Sequence, residues 1–145
     1  MTDKTPTIGM LTATTKGGYP YLDYDTENLL AVEHDIARLQ EKFRLGKAAL
    51  MKTEHGYHAI FFWNNRMSWK QILEIIDYSI IVDPKFKEFK HDTGFSRIRI
   101  LGDDIKMFKI IKSPHQEASD MGDFLFMNYK RIIQDNFMVN KNGRR

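Results

Sequence analysis

The sequence predicts one α+β domain, a β-α-β-β-α-β core with an extra N-terminal hairpin strand and a C-terminal helix. Three observations predict it. Two stretches, Glu27–Phe43 and Ser68–Ile76, place apolar residues at steps of three and four, the period of a helix with one buried face. The segments around them are short and rich in β-branched and aromatic residues, as strands are. The turn signals Gly17-Gly18, Glu54-His55-Gly56 and Gly102-Asp103-Asp104 separate those segments. A chain of 145 residues, 42% hydrophobic and 28% charged, supplies one core. No repeat or Pro/Gly/Ser-rich linker divides residues 1–145, and the ends, 1–5 and 138–145, are expected to be flexible.

Thr7–Thr14 reads as a strand that Gly17-Gly18 turns back onto a second strand, Tyr19–Asp25, as a hairpin. In Glu27–Phe43 the residues Leu29, Val32, Ile36, Leu39 and Phe43 form one stripe, with Asp25 or Thr26 as the N-cap. Lys47–Thr53 and Tyr57–Trp63 read as a strand pair joined by the turn at Glu54-His55-Gly56. Ser68 and Gln71 have the spacing of a capping box, in which each side chain satisfies the other's backbone N–H. They open a helix through Trp69, Ile72, Leu73 and Ile76. Ile80–Val82 reads as a brief strand ended by Asp83-Pro84, and Lys85–Gly94 as a charged loop. Phe95–Leu101 and Ile105–Lys112 read as strands, and Asp120–Asn136 as a closing helix with Phe124, Leu125, Tyr129, Ile132 and Ile133 inward.

From Tyr19 onward this is the split β-α-β order of ferredoxin-like and RNA-recognition-motif (RRM)-like domains, which cover one sheet face with helices and leave the other open. Side chains alternate along a strand, so parity assigns faces. If Leu22 and Tyr24 face the helices, Tyr21, Asp23 and Asp25 face away; if Ala59, Phe61 and Trp63 face them, His58, Ile60 and Phe62 face away; and Arg97 and Arg99 follow the same rule opposite Ile98 and Ile100. Two carboxylates, an imidazole and two guanidiniums are thereby expected on one open face. Paired aspartates at i and i+2 on a strand suit a hard cation such as Mg²⁺ or Mn²⁺, and an Arg-x-Arg pair suits polyphosphate.

The absence of cysteine excludes disulfides, thiolate zinc sites and thiol nucleophiles. No apolar run approaches the length of a membrane span, and the N-terminus lacks the pattern of a signal peptide, so the expectation is a cytoplasmic protein without a membrane partner. A net charge of +3 and a pI near 9.0 suit a nucleotide or nucleic-acid partner.

At these residues the sequence resembles the archaeo-eukaryotic primase, or primase-polymerase, superfamily. Tyr21-Leu22-Asp23-Tyr24-Asp25 is similar to the family's hhhDhD/E motif, Gly56-Tyr57-His58 to its small-x-His motif and Val82-Asp83 to its h-Asp motif. The likeness spans about Tyr19 to Ile111 and implies a small or reduced member, virus- or plasmid-encoded. The resemblance implies Asp23, Asp25 and Asp83 as catalytic metal ligands for Mg²⁺ or Mn²⁺ and His58 as a contact to the nucleotide's phosphates. It places Arg97, Arg99 and Lys52 as further nucleotide-binding charges. It implies two-metal transfer from nucleoside triphosphates onto a DNA primer or template-bound nucleotide.

The alternative from another class is a non-catalytic RRM-like nucleic-acid-binding protein that kept the fold. Its stacking platform would be Tyr21, Phe62 and Phe95, and Lys85, Lys87, Lys90, Lys106, Lys109 and Lys112 would hold phosphates. A rolling-circle nickase needs two histidines on one strand face, and His55 and His58 have the wrong parity for that.

Overall fold

The computed structural model describes residues 10–14, 16–99, 105–115, 122–128 and 130–131. Its elements are β1 (Met10–Thr14), β2 (Tyr21–Tyr24), α1 (Leu29–Phe43), β3 (Ala48–Lys52), β4 (Tyr57–Ile60), α2 (Trp69–Tyr78), α3 (Pro84–Thr93), β5 (Phe95–Arg99) and β6 (Lys106–Ile111). Residues 122–128 are also helical. The α+β class therefore holds. The expected ends, Ile100-Leu101, the Gly102-Asp103-Asp104 turn and most of the second half of the closing helix lie outside the described residues.

Four strands form one antiparallel sheet in the order β2-β4-β3-β6. The turn at residues 53–56 makes β3 and β4 a hairpin, held where Thr53 N–H donates to Gly56 C=O over 2.9 Å. The expected hairpin between the first two strands does not form. β1 instead pairs antiparallel with β5, from Met10 opposite Arg99 to Thr14 opposite Phe95, and β5 lies against β2. Gly17-Gly18 does not reverse the chain onto β2; Gly18 bridges to Met67 through two backbone hydrogen bonds of 3.0 and 2.8 Å. With φ at +103° and only 2.6 Å between an added Cβ and Met67 O, position 17 needs glycine.

Helix α1 buries Val32, Ile36 and Leu39, the stripe expected from periodicity. Its N-cap is Asn28, whose side-chain oxygen accepts from Ala31 N–H at 3.1 Å; Thr26, one of the residues expected there, instead accepts from Asn28 N–H. Arg44 ends the helix in the left-handed region at φ 54°. Helix α2 opens with the expected Ser68–Gln71 capping box. Two expectations fail at its far end. Ile80–Val82 is not a strand, and Lys85–Gly94 is not a loop: Pro84 begins α3, where its fixed φ and missing N–H suit a first helical turn.

The register sorts the sheet into two faces. On one lie the rows Leu22–Ala59–Leu50 and Tyr24–Tyr57–Lys52, and on the other Tyr21–Ile60–Ala49 and Asp23–His58–Met51. Tyr24 donates its hydroxyl to Asp35 on α1, which marks the first as the α1-covered face. The second face is not open. Ala49, Met51 and Ile60 are inaccessible to solvent, and Tyr21 and Phe62 nearly so. Near the end of β4 the residue 122–128 helix packs its Phe126 on Phe62 and Trp63, with ring centroids 6.0 and 4.9 Å apart. The sheet is thus an interior layer, and each fully buried Leu or Ile in it contributes about 2 kcal/mol.

Candidate functional site

Asp23 is the one half-exposed residue of β2, whose other three are buried. Antiparallel pairing sets His58 of β4 directly across from it, with Nε2 at 3.5 Å from Asp23 Oδ1. That is longer than the roughly 2.8 Å of a charge-assisted hydrogen bond. The His58 side chain is 9% exposed, whereas about a third of the Asp23 side chain meets solvent, so the carboxylate is the outward member of the pair.

A third segment joins on the outer edge of β2. Asp83 N–H donates to Asp23 C=O over 2.8 Å, which seats the residues before α3 alongside the strand. Asp83 also starts α3: its Oδ1 accepts from Lys85 N–H at 3.1 Å and its carbonyl from Lys87 N–H at 3.1 Å. A carboxylate at this helix N-terminus satisfies otherwise orphaned N–H groups, and one of its oxygens is engaged in doing so. Asp25 lies just past β2 and is exposed.

The small residue before Tyr57-His58 has a steric reason. A Cβ on Gly56 would lie 1.9 Å from Tyr24 O and 3.1 Å from Thr26 N. The β3–β4 turn rests directly on the backbone that leaves β2, and this close approach keeps Asp23 and His58 in register.

Other sequence-predicted site residues are placed differently. Lys52 shares a row with Tyr57 and Tyr24 and so stands on the α1 side of the sheet, opposite the Asp23–His58 pair. Its ammonium lies over the Tyr57 ring at 5.2 Å and donates to Thr53 C=O. Arg97 and Arg99 sit on β5 opposite Thr12 and Met10; their side chains, like those of Phe95 and Lys90, lie outside the described residues. The stacking platform expected for a binding module is not available at Tyr21 and Phe62, which are 3% and 4% exposed. Burial raises the Tyr21 phenol well above its ordinary value, an effect that the nearby Arg66 guanidinium partly offsets.

The donor set around Asp23 is of the kind a hard cation takes; among the described residues no three His, Asp or Glu side chains gather to hold an ion. A substrate that brings its own Mg²⁺ on a polyphosphate asks for less, one or two protein carboxylates with phosphate oxygens and water completing the shell.

Asp35 has a larger role than its sequence position suggested. It is 1% exposed on α1 and accepts from the Tyr24 hydroxyl at 2.8 Å, the Ser79 hydroxyl at 2.6 Å and Ile80 N–H at 3.1 Å. Arg38 Nη1 is a further 3.5 Å away. This buried carboxylate ties β2, α1 and the end of α2 together; the signal was an acid placed inside the Val32–Ile36–Leu39 stripe. Burial, then the Asp35 charge, drive the Tyr24 phenol well above its ordinary value. Beside it a cleft of about 390 Å³ opens between Leu30, His34, Arg38 and Ile80, on the α1 side and away from Asp23.

Among the described residues no helix is long and apolar enough to cross a membrane. No family model matches the chain, and neither a curated protein nor a solved structure matches it.

Proposed function

We propose that the chain is a reduced primase-polymerase-like nucleotidyltransferase module, acting on Mg²⁺- or Mn²⁺-bound nucleoside triphosphates and a DNA primer or template. The observation that carries this reading is the meeting of three separate segments at Asp23: His58 across the ladder at 3.5 Å, and the Asp83 backbone bonded to its carbonyl at 2.8 Å. Each segment bears one of the three motif residues, and the strand with Arg97 and Arg99 lies beside β2. In this role the Asp23 and Asp25 carboxylates meet the substrate's cation. His58 donates to a phosphate oxygen once the ligand draws it from Asp23. Asp83 adds a carboxylate oxygen beyond the one used as a cap, and the β5 arginines balance phosphate charge. The same reading favours the finer RRM-like assignment: β2-β4-β3 runs in the order such a sheet uses at its centre, while β5 pairs with β1 and packs against β2 without joining its ladder.

Primer extension and de novo synthesis with Mn²⁺ test the proposal. Wild type is expected to extend a primer and Asp23→Ala/Asp25→Ala to fall to background, with both inactive in chelator. Failure of the wild type to bind a nucleoside triphosphate in Mn²⁺ would sink it.

The second reading, a non-catalytic RRM-like nucleic-acid-binding domain, is favoured by how little of His58, 7% exposed, is open to a substrate phosphate, and it would bind elsewhere than at the buried Tyr21 and Phe62. It predicts oligonucleotide binding that is indifferent to metal and set by salt.

A further inference from the structure

Among the described residues β6 is the outer strand of the sheet, and a bulge in it sets one residue outside the ladder. Leu50 stands opposite Lys109 and Met51 opposite Met107, so Phe108 has no partner on β3. An extra residue of this kind re-aims its side chain. The Phe108 ring is 46% exposed and rests by one side on Tyr57, with centroids 6.0 Å apart and planes inclined by 53°. Tyr57 is itself buried. An aromatic ring braced by a buried neighbour and half open to water is costly in a core sense and well suited to stacking on a flat ligand.

Along β6 the charges have one sign. The strand reads Lys106-Met107-Phe108-Lys109-Ile110-Ile111 and is followed by Lys112, with no acid among them. Lys106 pairs in register with Lys52, whose ammonium already lies over Tyr57. The nearby acids are committed: Glu33 on α1 holds Lys109 at 2.6 Å, and Glu54 in the β3–β4 turn faces His55 at 3.8 Å. Lys52 and Lys106 lie in one row near the exposed ring, and exposed Lys112 extends the positive charge past the end of β6.

We infer that the β6 edge is a track for single-stranded nucleic acid, with Phe108 stacking on a base and Lys52, Lys106 and Lys112 meeting the phosphates. This rests on the nucleic-acid partner proposed above but not on its chemistry, and it uses a different surface from Asp23 and His58. Lysines on an edge strand also prevent edge-to-edge pairing, a role that needs no aromatic ring.

The test is fluorescence anisotropy of a labelled oligothymidylate with the full chain, in chelator and without nucleotide. Phe108→Ala should weaken binding about tenfold, and Phe108→Leu by a similar factor although it keeps apolar bulk at the position. Lys106→Gln/Lys112→Gln should lower the slope of log affinity against log salt by about 1.4. Lys70→Gln, exposed on α2, should change neither. Melting curves of both Phe108 variants establish that they fold. Wild-type affinity in both Phe108 variants, or no binding by wild type, overturns the inference. Binding that follows this pattern without any primer extension sinks the catalytic reading alone.

Discussion

Gly56 shows how much one missing side chain decides. Its Cα lies against the Tyr24 and Thr26 backbone, and no rotamer can relieve a Cβ placed there. Gly56→Ala is expected to cost about 3 kcal/mol, because backbone rather than a flexible side chain must yield. Chemical denaturation would measure that loss; a change below about 0.5 kcal/mol would show that the turn relaxes freely. In the sequence, Gly56 stood out only as the small residue of a motif resemblance, and the contact that requires it was not visible there. Asp23 and His58 were more legible. Strand parity alone set them on the same face, since their register depends only on the β2–β4 pairing. Lys52 entered through the motif resemblance and not through parity, and its row in β3 sets it on the face opposite that pair.

Among the elements, those with a local signature were the ones the sequence revealed. The capping box at Ser68 opens α2 where its spacing said it would, and the β3–β4 hairpin follows from its short turn. Helix α1 was legible from its stripe, though Asn28 won the cap because its side chain reaches Ala31 N–H. Helix α3 was missed because Pro84-Lys85-Phe86-Lys87-Glu88 reads as a charged loop unless Asp83 is recognised as its cap. The β1–β5 ladder was missed because a partner so distant in sequence leaves no period or turn signal at β1. The end of α1 carries its own test. Arg44 occupies the left-handed region at φ 54°, where an L side chain is strained and glycine is not. Arg44→Gly should raise stability by about 0.5–1 kcal/mol; a fall in melting temperature would mean that the arginine side chain contributes more than its backbone costs.

Around β2, β4 and β3 both faces of the sheet are largely closed, and this overturns the expectation of an open binding face. Single-face alternation is a statement about one strand; what covers the second face is set by long-range packing, here visible where Phe126 meets Phe62 and Trp63. One consequence is measurable by pH. Tyr21 and Tyr24 lie on opposite faces, and burial raises both phenols above the ordinary value of 10.0. The folded protein keeps both protons at a pH where the unfolded chain releases them, so their contribution to stability is full below pH 10 and is lost as pH rises beyond it. Unfolding free energy measured by urea titration should therefore decline above that point, with a limiting slope of about 1.4 kcal/mol per pH unit for each phenol. Tyr21→Phe should remove its share of that slope, and an unchanged slope would show that the phenol titrates as it does in water.

The pairing of β1 with β5 also governs how the chain is made. A strand that begins at Met10 finds its partner only once Arg99 has been added, so during vectorial synthesis it waits on the ribosome while the β3–β4 hairpin, closed by neighbours, can form at once. Such non-local closure is slow compared with local contacts. Strand β1 is therefore locked in later than the β3–β4 hairpin, and until β5 emerges it presents unpaired amides that chaperones or a neighbouring chain can capture.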